Sequence, residues 1–286
     1  MLTGKPLASS PSATTPVADI VAQLRTFGLL MRAQAAAQFQ YRVSFFLQSL
    51  GQFLATFVDL LTILLLFHRF PNLAGWTLPE VAFLYGLGTT AFGFSDMLCG
   101  GFDSLSKMIK TGTFDRILTR PAGTFVQVLA SDLQIRRLGR IAQGAIALGM
   151  ALSWLDLTWT VPKVLVAIMA LVSGTVVFTA IWVIGAAITF WTVETSEVTN
   201  VFTYGGSELV SYPMPIYADG VRRFFTYVVP LAFVSYLPAL YILEHPDPLG
   251  LPPFLQLASP LVAVVFLLAA RGCWELGVRH YQGTGS

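Results

Sequence analysis

The stretch TGTFDRILTRPAG, from Thr111 to Gly123, carries charge between two long apolar runs of the sequence. It belongs to a charged segment, residues 103–121, that separates these runs. A helix of about 20 apolar residues crosses the hydrocarbon core of a bilayer, which is about 30 Å thick. The charged segment is therefore predicted to connect two membrane spans. The side of the membrane on which it lies fixes the direction in which each of the other spans crosses.

The whole chain has the composition of an integral membrane protein. It contains 286 residues, of which 55% are hydrophobic and only 11% are charged, whereas soluble domains carry about 25% charged residues. Because the apolar runs are continuous rather than alternating, we expect an all-α bundle in a lipid bilayer and not a β-barrel. The formal net charge of +2 predicts no contact with nucleic acid.

The apolar runs predict six transmembrane helices in a domain that covers residues 43–275. The spans are residues 43–67, 80–102, 141–154, 164–191, 195–212 and 254–273. The third span is expected to start ahead of residue 141, within the basic segment. Residues 224–243 are also apolar, but Pro230 and Pro238 would break a straight helix. This favours a re-entrant region at residues 213–253. The alternative is a seventh span, which would leave the two termini on opposite sides of the membrane.

Positive charge predicts the orientation, because Lys and Arg gather in cytoplasmic loops. With six spans, most basic residues fall on the side of both termini: Lys5, Arg25, Arg32, Arg42, Lys107, Lys110, Arg116, Arg120, Arg136, Arg137, Arg140, Arg271 and Arg279. The other side holds the remaining ones, which are Arg69, Lys163, Arg222 and Arg223. Both termini, including a C-terminal tail at residues 276–286, are therefore expected in the cytoplasm of a multi-pass protein of the cell inner (plasma) membrane.

The residues before the first span divide into two parts. Residues 1–16 are rich in Ser, Thr and Pro and have no apolar core, which predicts a disordered tail and no signal peptide. Residues 17–42 have apolar side chains at helical spacing, interrupted by Arg25 and Arg32. This pattern favours an amphipathic interface helix lying along the membrane surface. The alternative is a helix packed on the protein's own soluble face.

The charged segment has the pattern of folded structure. Asp103 or Ser104 can cap a short helix, and Gly112 can end that helix in a left-handed conformation. Its apolar positions are Leu105, Met108, Ile109, Phe114, Ile117 and Leu118. We predict one or two short amphipathic helices, parallel to the membrane, that can seat in a groove of a soluble partner. The alternative is a basic loop that only fixes the topology.

The sequence GTFDRILTRP, Gly112 to Pro121, resembles the G-x-x-D-x-x-L-x-R-P signature of a subgroup of ABC-2-type permeases, the membrane subunits of ATP-binding-cassette exporters. Further similar patterns follow the family's order along the chain. They are QxQYRVSF before the first span, GW–x3–E–x4–YG at the second, YPMPIYADGVRRFF near Tyr212, and W–x2–G–x3–Y–x–G–x–G at the end. The likeness covers nearly everything from residue 30 onward.

This resemblance implies six spans, an N-terminal interface helix, a cytoplasmic coupling helix between spans two and three, and re-entrant helices between spans five and six. It also implies that the charged segment docks on a separate ATPase subunit, which holds ATP and Mg. The residues implied in this contact are Asp103, Lys107, Met108, Lys110, Gly112, Phe114, Asp115, Arg116, Leu118, Arg120 and Pro121. A second permease, identical or homologous, would complete the path. Relatives in the subgroup are associated with export of toxic organic cations, so a cationic or amphipathic small molecule is favoured.

The chain itself is not expected to be an enzyme. It has no G-x-x-x-x-G-K-[ST] motif, so ATP hydrolysis is assigned to the partner. No nucleophile–base pair indicates a membrane enzyme, and no cofactor or metal is expected in this chain. Cys99 and Cys273 lie in apolar runs and are interpreted as small buried side chains.

Five acidic residues in or near the spans are candidates for the substrate path: Asp59, Asp96, Glu194, Glu197 and Glu208. A carboxylate at mid-membrane costs about 2.5–3.5 kcal/mol on insertion scales, so it should face the bundle interior, a water-filled cavity or another subunit. The alternative is a purely structural, protonated or hydrogen-bonded carboxylate. An ion-coupled secondary transporter, with Asp59 and Asp96 as coupling residues, is the alternative function, although no internal repeat supports it.

Overall fold

The computed structural model describes residues 16–40, 42–192, 196–247 and 250–281, and these ranges are helical without a β-strand. The α-helices are α1 Pro16–Phe39, α2 Arg42–Arg69, α3 Leu78–Leu98, α4 Gly100–Asp103, α5 Leu105–Lys110, α6 Thr113–Leu118, α7 Thr124–Leu129, α8 Leu138–Trp154, α9 Val161–Thr192, α10 Ser196–Val210, α11 Asp219–Tyr227, α12 Tyr236–Leu243 and α13 Ser259–His280. Short 3₁₀ turns occupy Ile135–Arg137, Met214–Ile216, Leu231–Phe233 and Pro253–Leu257. The predicted tail, residues 1–16, lies outside the described residues except for its last position.

Three of the described helices are long and apolar enough to cross a membrane: α2, α9 and α13. A fourth candidate is the bent pair of α11 and Leu231–Leu243. At the other predicted spans, α3 has 21 residues. In contrast, α8 has 17 and α10 has 15, which is short for about 30 Å of hydrocarbon. The fold is therefore that of an all-α membrane protein, and the number six stays a prediction.

Helix α3 lies at the centre of the bundle. It packs along α8 and α9, and α9 packs along α13. Nearly every α3 side chain from Val81 to Asp96 is buried, as expected for a helix that is apolar on all sides. Helix α2 lies at the edge, because it packs mainly against α8 and buries only three of its residues. Most of the surface of α2 is thus open to lipid or to another protein.

Glycines bring α3 and α8 into close contact. A Cβ atom added at Gly144 would lie 2.7 Å from the backbone nitrogen of Thr90, and one at Gly86 would lie 2.6 Å from that of Leu148. Small residues at such contacts let helix backbones approach closely in membranes.

Replacing Gly144 by Val is expected to separate α3 from α8 and to destabilise the bundle by about 1–3 kcal/mol, the usual effect of overpacking. Gly149→Val, in the same helix, is the matched control, because a Cβ at Gly149 meets no atom within 4 Å. Thermal unfolding of the purified proteins in detergent measures both effects. Equal melting temperatures for the two variants would contradict the close contact.

The apolar region after α10 bends by 72° between α11 and Leu231–Leu243. The helix breaks just before Pro230, in agreement with the predicted effect of that residue. Pro238, in contrast, is the third residue of α12, where the backbone N–H would have no partner within the helix. Pro238 thus lies in the first turn of the second helical piece, and a straight helix over residues 224–243 is broken ahead of it, as expected.

Several helix ends differ from the predicted spans. Helix α13 runs from Ser259 to His280 instead of residues 254–273. Helix α8 begins at Leu138, within the basic segment, as expected. Prolines before α13 hold Pro253–Leu257 in a 3₁₀ turn, which delays the start of the α-helix. The predicted C-terminal tail, residues 276–286, therefore begins as helix, and its last five residues lie outside the described ranges.

Candidate functional site

The charged segment folds into α5 and α6, which meet at Gly112. This glycine has φ 67°, the left-handed conformation that glycine adopts at little steric cost. The turn predicted at Gly112 is confirmed. Helix α7 follows and leads the chain back toward the bundle.

One face of the charged segment is buried in the chain's own hydrophobic core. The buried side chains are Leu105, Ile109, Phe114 and Ile117. Phe114 is fully buried, with its ring centroid 5.2 Å from that of Phe190 and 5.0 Å from that of Tyr281. Trp274 joins the same aromatic cluster. Phe114, implied by resemblance in the ATPase contact, thus packs against other residues of its own chain.

A hydrogen bond fixes the same attachment. The Tyr281 hydroxyl donates to Oδ1 of Asp115 at 2.9 Å. Burial, together with the hydrogen bond and charge of Asp115, raises the pKa of Tyr281, so the phenol stays protonated and can keep donating. The charged segment is therefore fastened to the ends of α9 and α13.

The opposite face of the charged segment is exposed. Its exposed positions are Asp103, Lys107, Lys110, Thr111, Thr113, Arg116, Leu118, Thr119, Arg120 and Pro121. Leu118 is 41% exposed, an apolar side chain among basic ones. Met108, Gly112 and Asp115 are half-buried between the two faces. Of the residues implied in the ATPase contact, Phe114 is thus buried, Met108, Gly112 and Asp115 are half-buried, and the others are exposed.

A buried ionic group lies between α7 and the start of α8. We name it the Arg137 cluster: Arg137, Asp96, Gln52, Gln134 and Tyr204. Nε of Arg137 lies 3.1 Å from Oδ2 of Asp96. The two terminal nitrogens donate to Oε1 of Gln52 at 3.0 Å and to the hydroxyl of Tyr204 at 2.9 Å. The cluster joins α2, α3 and α10 to the start of α8.

A second polar group, the polar cavity, lies one helical turn beyond Arg137. Its lining is Thr56, Asp59, Tyr85, Thr89, Phe92, Arg140, Ser207, Glu208 and Ser211. The Arg140 guanidinium carbon lies 4.9 Å from the ring centroid of Phe92, and its Nε is buried without a hydrogen-bond partner. Asp59 and Glu208, distant in sequence, thus share a cavity with one cation.

The remaining acidic candidates do not join the polar cavity. Asp96 belongs to the Arg137 cluster, and Glu197 is exposed near the start of α10. Glu194 lies outside the described residues. Within the part of the chain that is described, no three His, Cys, Asp or Glu side chains are placed to hold a metal ion. Both cysteines are free. Cys99 is buried as expected, whereas Cys273 is only half-buried.

Arg137 and Arg140 were not predicted to lie in the bundle interior, because both belong to a basic stretch that was expected in a cytoplasmic loop. Arg137 is the N-cap residue of α8 and Arg140 is the third residue of the helix, so the start of this helix turns both side chains inward. Lys163 also points inward and pairs with Glu244 at 2.7 Å. The exposed basic residues on the side of the charged segment include Lys107, Lys110, Arg116, Arg120 and Arg136, and these still favour the predicted orientation.

Long apolar helices around enclosed ionic groups define a multi-pass membrane protein with a polar interior. The family model described as ABC-2 family transporter protein matches residues 53–285. The chain therefore belongs to this family, whose members are the membrane components of ATP-binding-cassette transporters and not the ATPases. The match includes the charged segment, Arg137 and the polar cavity. No curated protein and no solved structure gives a significant match.

Proposed function

We propose that this chain is the permease subunit of an ATP-driven exporter and that the charged segment is its coupling element. The two faces of the charged segment support this proposal most directly. Contacts of Phe114 and Tyr281 attach the buried, inner face to α9 and α13. Arg116 and Leu118 lie on the opposite, outer face, which is exposed. Because the attachment is buried and aromatic, a push on the outer face reaches the long helices with little loss.

The partner of the outer face is an ATP-binding-cassette ATPase, a separate polypeptide that holds ATP and Mg. Family membership supports such a partner. Basic side chains around one exposed leucine fit an acidic rim with an apolar pocket. The residues proposed to touch the ATPase are Lys107, Lys110, Arg116, Leu118, Arg120 and Pro121, and Phe114, Gly112 and Asp115 shape the segment.

The proposed topology has six spans, formed by α2, α3, α8, α9, α10 and α13. Helix α1 lies on the membrane surface, and residues 213–253 form the re-entrant region, for which the 72° bend is the support. Both termini and the charged segment lie in the cytoplasm, in agreement with the exposed basic residues of that side.

A second permease, identical or homologous, is proposed to cover α2 and the neighbouring part of α10. Helix α2 exposes Gln48 and Thr62, and α10 exposes Glu208, although polar groups in a membrane prefer protein or water to lipid. The polar cavity then faces the path between the subunits. Its two carboxylates and one guanidinium favour a small cationic or amphipathic substrate, as in the subgroup that the charged segment resembles.

Replacing Leu118 by Asp is expected to reduce recovery of the ATPase with the tagged permease at least roughly tenfold, because an apolar anchor becomes a charge. Affinity purification from the native membrane, followed by mass spectrometry and quantitative blotting, measures the recovery. Leu257→Asp is the matched control, because Leu257 is 45% exposed and lies in the 3₁₀ turn before α13. This is the end of α13 remote from Tyr281 and the charged segment. We expect the control to retain the ATPase.

A second measurement checks the side on which the partner binds. A cysteine at Thr113, which is exposed, should react with a membrane-impermeant reagent in inside-out vesicles and not in intact cells. Labelling from outside, or a native complex without any ATPase, would contradict the proposed function.

A further inference from the structure

Two residues of the Arg137 cluster, Gln134 and Arg137, lie in the short stretch that leads from α7 into α8. The backbone N–H of Gln134 donates to the carbonyl of Met97 at 3.0 Å, which ties this stretch to the end of α3. Arg137 follows in the 3₁₀ turn, and α8 begins at the next residue. A displacement of the charged segment therefore reaches α8 through Arg137 and its neighbours.

One side chain connects this stretch to three helices. Arg137 contacts Asp96 of α3 at 3.1 Å, Gln52 of α2 at 3.0 Å and Tyr204 of α10 at 2.9 Å. Its side chain is 14% exposed and that of Asp96 is 3% exposed, so water competes little for these bonds. A guanidinium is planar and donates in fixed directions, so it holds its partners in one relative arrangement.

The contact with Asp96 is an ion pair without a direct hydrogen bond. The single Nε hydrogen of Arg137 is donated to Oε1 of Gln134 at 3.1 Å, and Oδ2 of Asp96 has no hydrogen-bond donor. The Tyr204 hydroxyl reaches Oδ1 of Asp96 at a long 3.4 Å. Asp96 is therefore held by the charge of Arg137 and by the Tyr204 hydroxyl, and not by a hydrogen bond from the guanidinium.

The surrounding contacts pass movement on to the bundle. Gly139 lies directly against the backbone of Ser49 and Phe53, so the start of α8 and the wall of α2 touch without side chains between them. The ring of Tyr204 meets that of Trp182 edge-on, with centroids 5.9 Å apart. Such tightly packed contacts transmit displacement instead of absorbing it.

We propose that Arg137 is the positioning residue through which movement of the charged segment reaches the polar cavity. The inference rests on the proposed function, because an ATPase supplies the movement. When nucleotide binding displaces the charged segment, Arg137 moves α2, α3 and α10 together. Access to the cavity, which α2, α3 and α10 all line, changes as a result.

A reporter cysteine in the polar cavity tests this role. Ser207 is 5% exposed and lies one helical turn from Tyr204, whose carbonyl accepts its hydroxyl hydrogen at 2.8 Å. Ser207→Cys is introduced after Cys99 and Cys273 have been replaced by Ala. The permease–ATPase complex in inside-out vesicles is then treated with a small water-soluble thiol reagent, with and without a non-hydrolysable ATP analogue. Gln40→Cys, exposed between α1 and α2 and outside the charged segment, is measured in parallel and corrects for reagent delivery.

In the native background, nucleotide should change the labelling rate of the Ser207 cysteine by about tenfold, within the usual range of coupling between two sites. In Asp96→Asn/Arg137→Gln, which removes both charges together, the change should fall below about twofold, because a neutral amide pair positions the helices weakly. Arg136→Gln is the matched control, since Arg136 is exposed and its side chain donates to Oε1 of Gln134 at 3.2 Å. It should respond like the native chain.

Two results would overturn the inference and leave the proposed function standing. One is a full nucleotide response in the assembled Asp96→Asn/Arg137→Gln complex. The other is a native complex with bound ATPase whose Ser207 cysteine ignores nucleotide. A failure of the proposed function itself would appear in a different measurement, the affinity purification, because no ATPase would then copurify with the native chain.

Discussion

Replacing Arg137 by Gln will destabilise the purified chain by about 3–5 kcal/mol, because the buried Asp96 carboxylate then loses its counter-ion. Asp96 is 3% exposed, so water cannot replace the lost cation. Thermal unfolding in detergent measures the effect. Arg136→Gln, at the adjacent exposed position, should stay within about 0.5 kcal/mol of the native chain.

A double-mutant cycle separates the ion pair from other contacts of Arg137. Asp96→Asn/Arg137→Gln leaves no unpaired charge, so it should be clearly more stable than Arg137→Gln alone. Residues in direct contact show interaction energies of about 0.5–3 kcal/mol in such cycles. If the two single losses simply add in the double variant, the pair contributes nothing as a pair, and the description of the Arg137 cluster is wrong.

The features that could be predicted from the sequence are those fixed by local chemistry. Gly112 is predictable because only glycine adopts φ 67° at little steric cost, and the break before Pro230 is predictable because proline lacks an N–H donor. The long apolar runs likewise predict the helices α2, α9 and α13. In lipid, the backbone N–H and C=O groups of such a run must hydrogen-bond to one another, as they do in a helix.

The features that could not be predicted depend on which way a side chain points. The sequence around Arg137 and Arg140 is basic, as in a cytoplasmic loop. Only the start of α8 at Leu138 turns the two side chains toward Asp96 and the polar cavity. Their partners lie on α2, α3 and α10, far away along the chain. The one available signal was the carboxylate of Asp96 itself, because a buried charge requires a buried counter-ion.

The charged segment shows the same limit. Its amphipathic pattern predicted two faces but not which face meets the partner. The aromatic residues that receive Phe114 are Phe190, Trp274 and Tyr281. Because they come from α9 and the end of α13, only the folded chain reveals that the apolar face turns inward.

Phe114→Ala is therefore expected to detach the charged segment from α9 and α13 without removing any residue of the exposed face. Truncating a buried Phe to Ala costs about 3–5 kcal/mol, and here the loss falls on one attachment and not on the whole bundle. The variant should insert into the membrane normally, still bind ATPase weakly, and lose most of its ATP-driven transport. Transport into inside-out vesicles and ATP hydrolysis, measured on the same preparation, give the ratio that reports coupling.

A graded series shows whether attachment, and not docking, is what Phe114 provides. Tyr281→Phe keeps the ring but removes the bond to Asp115, so it should weaken the attachment by only about 1 kcal/mol and lower the transport-to-hydrolysis ratio slightly. Leu118→Ala, on the exposed face, should instead reduce ATPase binding and leave the ratio for the bound fraction unchanged. Phe114→Ala could instead behave like Leu118→Ala and lose ATPase binding with an unchanged transport-to-hydrolysis ratio. Phe114 would then contact the ATPase directly, and its inward packing would not hold in the working complex.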